Sequence, residues 1–189
     1  MVDLVLDIEG VMDPRSRFEQ AYRAHAGAVR TYAARRSDGQ TAEEVVADVF
    51  LVAWRRLDDV PEEDPLPWLL GVARRALANR RRSAARQQAV QARVHAERLD
   101  PAWGPSERTE LDEAVWVALE RISEHDREAL LLVAWEGLTP AQASIVLGLR
   151  PNTFSTRLSR ARRRFERALA AQYSPSVPET ASADPEPSR

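Results

Sequence analysis

The chain has 189 residues, 44% of them hydrophobic, enough for one ordinary domain or two small helical ones. With no cysteine and three histidines, it excludes disulfides, zinc–thiolate sites and thiol catalysis, and neither a metal nor another cofactor is expected. The net charge of −2 conceals segregation: six arginines and no acid from Arg74 to Arg86, seven arginines against Glu166 from Gly148 to Leu169, and eight acids against two arginines from Glu43 to Asp64. Blocks of opposite sign imply separate partners for separate surfaces. All 27 basic residues are arginine, a codon-composition effect that function can still use, because guanidinium binds phosphate and guanine in a bidentate way. No apolar run approaches the roughly 20 residues that span a bilayer. Met1 to Val11 mixes acids with aliphatics and has no basic leader, so a soluble cytoplasmic protein with no membrane contact is expected.

In chain order, a helix is predicted from about Arg15 to Ala34, with Phe18, Tyr22, His25, Val29 and Tyr32 on its inner face. A second spans about Thr41 to Leu57, with Ala42, Val45, Val46, Val49, Ala53 and Leu57 as its buried stripe. The acidic, proline-broken loop Asp58 to Pro65 follows. A third helix begins near Trp68, buries Leu69, Val72, Ala73, Ala76 and Leu77, and frays beyond Arg86. Residues 97–110 carry Pro101, Gly104 and Pro105 and read as a linker. Helices resume at about Leu111 to Ile122 and Glu124 to Glu136. Ser123 caps the second of these, with Asp126 in capping-box position. Trp103, Trp116 and Trp135 are read as packing residues, and Trp68 as core. The tail from Ser174 holds four prolines and no aromatic, a composition that favours disorder.

The most informative stretch is Gly137 to Leu158. Thr139 can cap a short helix with Pro140 in its first turn, Gly148 makes the turn, and Pro151 opens a second helix. Phe154, Leu158, Ala161 and Phe165 recur at helical spacing and face inward. Asn152, Thr153, Ser155, Thr156, Arg157, Ser159 and Arg160 remain outward, the side-chain types that read base edges and grip phosphates. This is a helix-turn-helix. Thr153, Ser155, Thr156 and Arg157 are candidates for base edges, and Arg160, Arg162, Arg163 and Arg164 for the DNA backbone.

Two further faces carry chemistry. Glu44, Asp48, Leu51 and Arg55 fall at spacings of four, three and four on the second helix, with Phe50 and Trp54 beside them. Such a charged face can simply be solvated, or an aromatic patch rimmed by charge can dock a protein. Arg75, Asn79, Arg82 and Arg86 form a basic stripe on the third helix, opposite Leu69, Val72 and Leu77. A stripe without acids repels itself unless an anion is near, which points to a phosphate track beside unstacked bases.

The sequence resembles the extracytoplasmic-function group of the sigma-70 family over roughly Phe18 to Leu169. The motif from Ala42-Glu43-Glu44-Val45 to Val52-Ala53-Trp54-Arg55 is similar to the region that grips core RNA polymerase. Trp68-Leu69-Leu70-Gly71-Val72-Ala73-Arg74-Arg75, followed by Asn79-Arg80-Arg81-Arg82, resembles the segment that opens and reads the −10 element. Gly137-Leu138-Thr139 through Arg162 resembles the domain that reads the −35 element. The resemblance implies a non-catalytic promoter-specificity subunit, with core polymerase (clamp and flap regions) and promoter DNA as partners and an anti-sigma protein as regulator. It implies polymerase docking through Glu44, Asp48, Phe50, Leu51, Trp54 and Arg55, and −10 contacts from Arg74, Arg75, Asn79, Arg80, Arg82 and Arg86. It implies −35 contacts from Asn152, Thr153, Ser155, Thr156, Arg157, Arg160, Arg162, Arg163 and Arg164. Arg150, Ser155, Ala143-Ser144 and Arg75 depart from the family's usual residues, which bears on promoter sequence rather than on family.

The expected architecture is therefore all-α. A region-2-like three-helix bundle (15–90) and a region-4-like four-helix domain (111–171) are joined by a flexible linker (91–110), between an N-terminal extension (1–14) and a tail (172–189). The competing reading is a stand-alone helix-turn-helix regulator, which would bind duplex specifically without polymerase.

Overall fold

The computed structural model describes residues 13–91 and 110–173; residues 1–12 of the N-terminal extension, nearly all of the linker with Trp103, and the tail from Ser174 lie outside the described residues. All regular structure within them is helical. Helix α1 (Pro14–Ala34) starts where Asp13 accepts the Ser16 N–H and Pro14 fills a position that needs no donor. Helix α2 (Gly39–Arg55) is capped by Asp38, which accepts the Thr41 N–H at 2.8 Å. It starts two residues earlier than expected, and Leu57 falls instead in a short 3-10 turn, Leu57–Asp59. Helix α3 (Leu66–Gln91) runs through the basic block and on past Arg86, where fraying was expected.

The second half contains α4 (Glu110–Glu120), α5 (Glu124–Ala134), α6 (Pro140–Leu147) and α7 (Pro151–Tyr173). The Ser123 hydroxyl accepts the Asp126 N–H as expected of a cap. The Asp126 carboxylate, however, is buried and turned to Arg164, 2.5 Å away, so it ties α5 to α7. Trp116 and Trp135 pack with ring centres 5.0 Å apart over a small core of Leu119, Ile122 and Leu131.

Val29, Tyr32, Val45, Val49, Leu69 and Ala73 form the centre of the α1–α3 bundle, and Tyr22 of the expected inner stripe lies exposed. The apolar cluster does not stop at that bundle. It continues through Ala129, Leu132, Leu138, Ala143, Val146, Phe154 and Leu158, so the two helical blocks share one core. Helix α6 lies on α3 at Gly71, where a Cβ would stand 3.7 Å from the Val146 backbone, in ordinary van der Waals contact. Burial of side chains such as Leu132 and Val146 contributes about 1.5–3 kcal/mol each. The blocks expected from the sequence are therefore docked against each other.

Candidate nucleic-acid and docking interfaces

The helix-turn-helix is built by local chemistry. Thr139 and Gln142 form a reciprocal capping box: the Thr139 hydroxyl accepts the Gln142 N–H at 3.3 Å, and the Gln142 side chain accepts the Thr139 N–H at 2.9 Å. Gly148 ends α6 at φ 63°, a left-handed conformation that a residue with a Cβ adopts at a cost. The Leu149 N–H then closes onto the Ser144 carbonyl at 2.9 Å and aims the chain into α7.

On α7, Phe154, Leu158 and Ala161 are buried, and Phe165 is half-buried. Asn152, Thr153, Ser155, Thr156, Ser159, Arg160, Arg162 and Arg163 are exposed on the other side, as expected of a reading face. Two candidates are placed differently. Arg164 is committed to the buried Asp126, which gives it a structural task. Arg157 is half-buried, lying at the edge of a cleft toward α3 on one side and beside Thr153, Thr156 and Arg160 on the other.

On α3, Arg75, Asn79, Arg82 and Arg86 are exposed along one face, and Arg82 donates to the Asn79 side-chain oxygen. Arg80 does not join that stripe. Its guanidinium turns to α2, donating to Asp48 at 2.7 Å and also to Glu44. The hydrogen bond with Asp48, outweighing desolvation and aided by that with Glu44, raises its pKa above the usual arginine value. The anionic face of α2 and the cationic face of α3 thus meet at Arg80, which sequence spacing could not reveal.

On α2, Leu51 and Trp54 are 47% and 49% exposed, large apolar side chains beside Glu44, Asp48 and Arg55. Phe50 differs from expectation: it is 3% exposed, with its ring edge-on to Tyr22 and Phe18 at 4.7 and 6.2 Å, and it backs the patch from inside. Tyr22 joins the exposed aromatic surface from α1, while Phe18 packs edge-on to Trp54 at 5.2 Å.

Between the two helical blocks lies a cleft of about 280 Å³, where Arg74, Arg81 and Arg82 of α3 face Arg157 of α7. One wall is an ion network absent from the sequence reading. Arg36, 3% exposed, donates to Glu128 at 3.2 Å and to Glu136 at 2.9 Å. Its guanidinium also stacks 3.6 Å from the centre of the Tyr32 ring. The Tyr32 hydroxyl donates to Glu128 at 2.7 Å; burial first, and then Glu128, raise its pKa well above the usual tyrosine value and keep it a donor. Among the described residues, no helix is long and apolar enough to cross a membrane, and no group of three or more potential metal ligands occurs.

Residues 21–87 match the family profile of sigma-70 region 2, and residues 112–165 that of sigma-70 region 4. The RNA polymerase sigma factor NccH of Alcaligenes xylosoxydans xylosoxydans is 28% identical over 156 residues, covering 78% of this chain and 81% of NccH. A chain of the co-crystal structure of the sigma factor RpoE with the anti-sigma factor NepR, from Bartonella quintana, superposes with a TM-score of 0.60 at 26% identity, covering 81% of this chain and 96% of that one. A chain of the PhyRSL–NepR complex from Sphingomonas sp. Fr1 shares the fold, with a TM-score of 0.56 at 17% identity and coverage of 91% and 96%. The match to region 2 in addition to region 4 disfavours a stand-alone helix-turn-helix regulator. The chain belongs to the sigma-70 family, as an extracytoplasmic-function sigma factor that binds core RNA polymerase and directs promoter-specific transcription initiation.

Proposed function

We propose that the three surfaces divide the work of initiation. Leu51, Trp54 and Arg55, with Glu44 and Asp48 at the rim, dock on the polymerase clamp, with Phe50 as the packed support beneath them. Arg75, Asn79, Arg82 and Arg86 track the backbone of the −10 segment as its bases leave the stack. Helix α7 enters the major groove at the −35 element, where Asn152, Thr153, Ser155, Thr156 and Arg157 meet base edges and Arg160, Arg162 and Arg163 hold phosphates. The chain itself catalyses nothing; polymerase supplies the chemistry. Its two modules are residues 15–90 and 111–171, and its setting is the cytoplasm.

The observation that carries this reading is the polarity of α7. Phe154, Leu158 and Ala161 anchor it to the rest of the domain, which leaves a row of hydroxyl, amide and guanidinium groups free for a groove. Unstacking −10 bases costs a few kcal/mol per step, so capture depends on the affinity of the assembled holoenzyme. RpoE of Bartonella quintana is described in complex with the anti-sigma factor NepR, and an anti-sigma protein is the regulator proposed here too.

Run-off transcription with purified core polymerase and a library of start sites tests the assignment. Initiation from a defined subset is expected, and Arg157→Ala should relax preference at one −35 position at a cost of about 1–3 kcal/mol. Absence of directed initiation would refute the division of work, and a uniform loss across promoters would make Arg157 a phosphate contact.

A further inference from the structure

The cleft between the two helical blocks carries more positive charge than its own acids answer. Of the two carboxylates that line it, Glu128 accepts from Arg36 and the Tyr32 hydroxyl, and Glu124 pairs with Arg81 at 3.0 Å. Three further guanidiniums face the same space. Arg82 donates to the neutral Asn79 side chain, and the Arg74 and Arg157 side chains make no hydrogen bond or ion pair among the described residues. Arg74 and Arg157 are nevertheless half-buried, a loss of hydration that no protein partner returns.

The walls and the spacing define what fits. Tyr32 and Leu77 are buried and Leu147 is half-buried, so the cleft has an apolar floor. A cleft of one charge sign with low-dielectric walls concentrates ions of the other sign. Guanidinium forks match phosphate oxygens in bidentate pairs. Arg74 and Arg82 lie eight residues apart, about 12 Å along α3 at roughly 1.5 Å per residue. One phosphate group leaves part of that span unanswered, whereas two or three linked phosphates cover it. The volume of about 280 Å³ falls just under the ~300–1,000 Å³ of ordinary small-molecule pockets, so it admits a phosphate chain but not a whole nucleotide or a duplex.

We propose that this cleft binds a short phosphate chain, either inorganic or the tail of a nucleotide, held by Arg74 and Arg82 of α3 and Arg157 of α7. The ligand supplies the negative charge that the cleft lacks and draws both helices onto one anion. Occupancy also takes Arg157 away from the −35 element. That consequence rests on the function proposed above, whereas the site itself does not.

Titration calorimetry on the full chain tests this, with sodium tripolyphosphate, ATP and sulfate as probes in magnesium-free buffer at matched ionic strength. Tripolyphosphate should bind saturably at one per chain, and sulfate at least tenfold more weakly. Affinity for ATP close to that for tripolyphosphate assigns the site to a nucleotide tail, and rejection of ATP assigns it to the free chain. Arg74→Gln with Arg157→Gln should weaken tripolyphosphate at least tenfold. Arg75→Gln with Arg86→Gln removes the same charge from the exposed face of α3, outside the cleft, and should weaken it less than twofold. Arg82→Gln, expected to cost at least threefold, decides the matter if the first pair loses its helicity. No saturable binding, or equal loss in both pairs, would overturn the site and leave only diffuse attraction to a basic surface. Saturating tripolyphosphate should also lower affinity for a −35 duplex at least fivefold relative to sulfate. Binding without that competition would leave the site standing and sink the assignment of Arg157 to DNA.

Discussion

Phe50 and Trp54 sit four residues apart on one helix and belong to different arguments. Phe50 is enclosed by Phe18, Tyr22 and the bundle, whereas half of the Trp54 side chain meets solvent. Truncating a buried phenylalanine costs about 3–5 kcal/mol, so Phe50→Ala should lower the denaturation midpoint in proportion. Trp54→Ala combined with Leu51→Ala should leave that midpoint nearly unchanged and abolish co-purification with core polymerase. A pull-down paired with a urea titration separates the two; equal loss of stability in both would remove the docking assignment. Sequence spacing put Phe50 off the buried stripe because it counts one helix against one core, and α1 supplies a second wall. The same limit hid Arg36: its partners are 92 and 100 residues away, and neither Glu128 nor Glu136 differs in pattern from an ordinary surface acid.

At the level of elements, the chain was legible where local chemistry decides. Ser123, Thr139, Pro140 and Gly148 each do what their residue type dictates, and the resulting helices fall within a few residues of expectation. Boundaries slipped where tertiary context decides. Helix α3 continues to Gln91 through a run of arginines, a good helix-forming residue, although like charges crowd it. Thr139 gives a clean measure of the local part. Replacing it with alanine removes the capping box and should cost about 0.5–2 kcal/mol, loosening α6 and, with it, the orientation of α7. Weaker −35 duplex binding with unchanged salt dependence is expected, because no phosphate contact is lost. A reduced salt slope would show instead that Thr139 touches DNA.

On the scale of the whole molecule, apolar periodicity marked Leu69, Val72, Phe154 and Leu158 as inward-facing but did not show that one core would hold all four. A hydrophobic stripe names a face, never its cover, so two modules on a string and two modules in contact have the same sequence pattern. The sharing of Glu44 and Asp48 also has a consequence at this scale. The two acids at the rim of the patch proposed to dock polymerase are the ones that pair with Arg80 and turn it away from the stripe proposed to track the −10 strand. A basic surface arriving on α2 competes for them, and whatever it captures sets a guanidinium loose toward the nucleic acid. Enzyme attachment would thus sharpen the grip on melted DNA by handing over a cation at the moment of docking. Arg80→Ala should accordingly weaken open-complex lifetime in the holoenzyme yet leave single-strand binding by the isolated factor untouched; filter-binding decay curves would show whether the handover occurs.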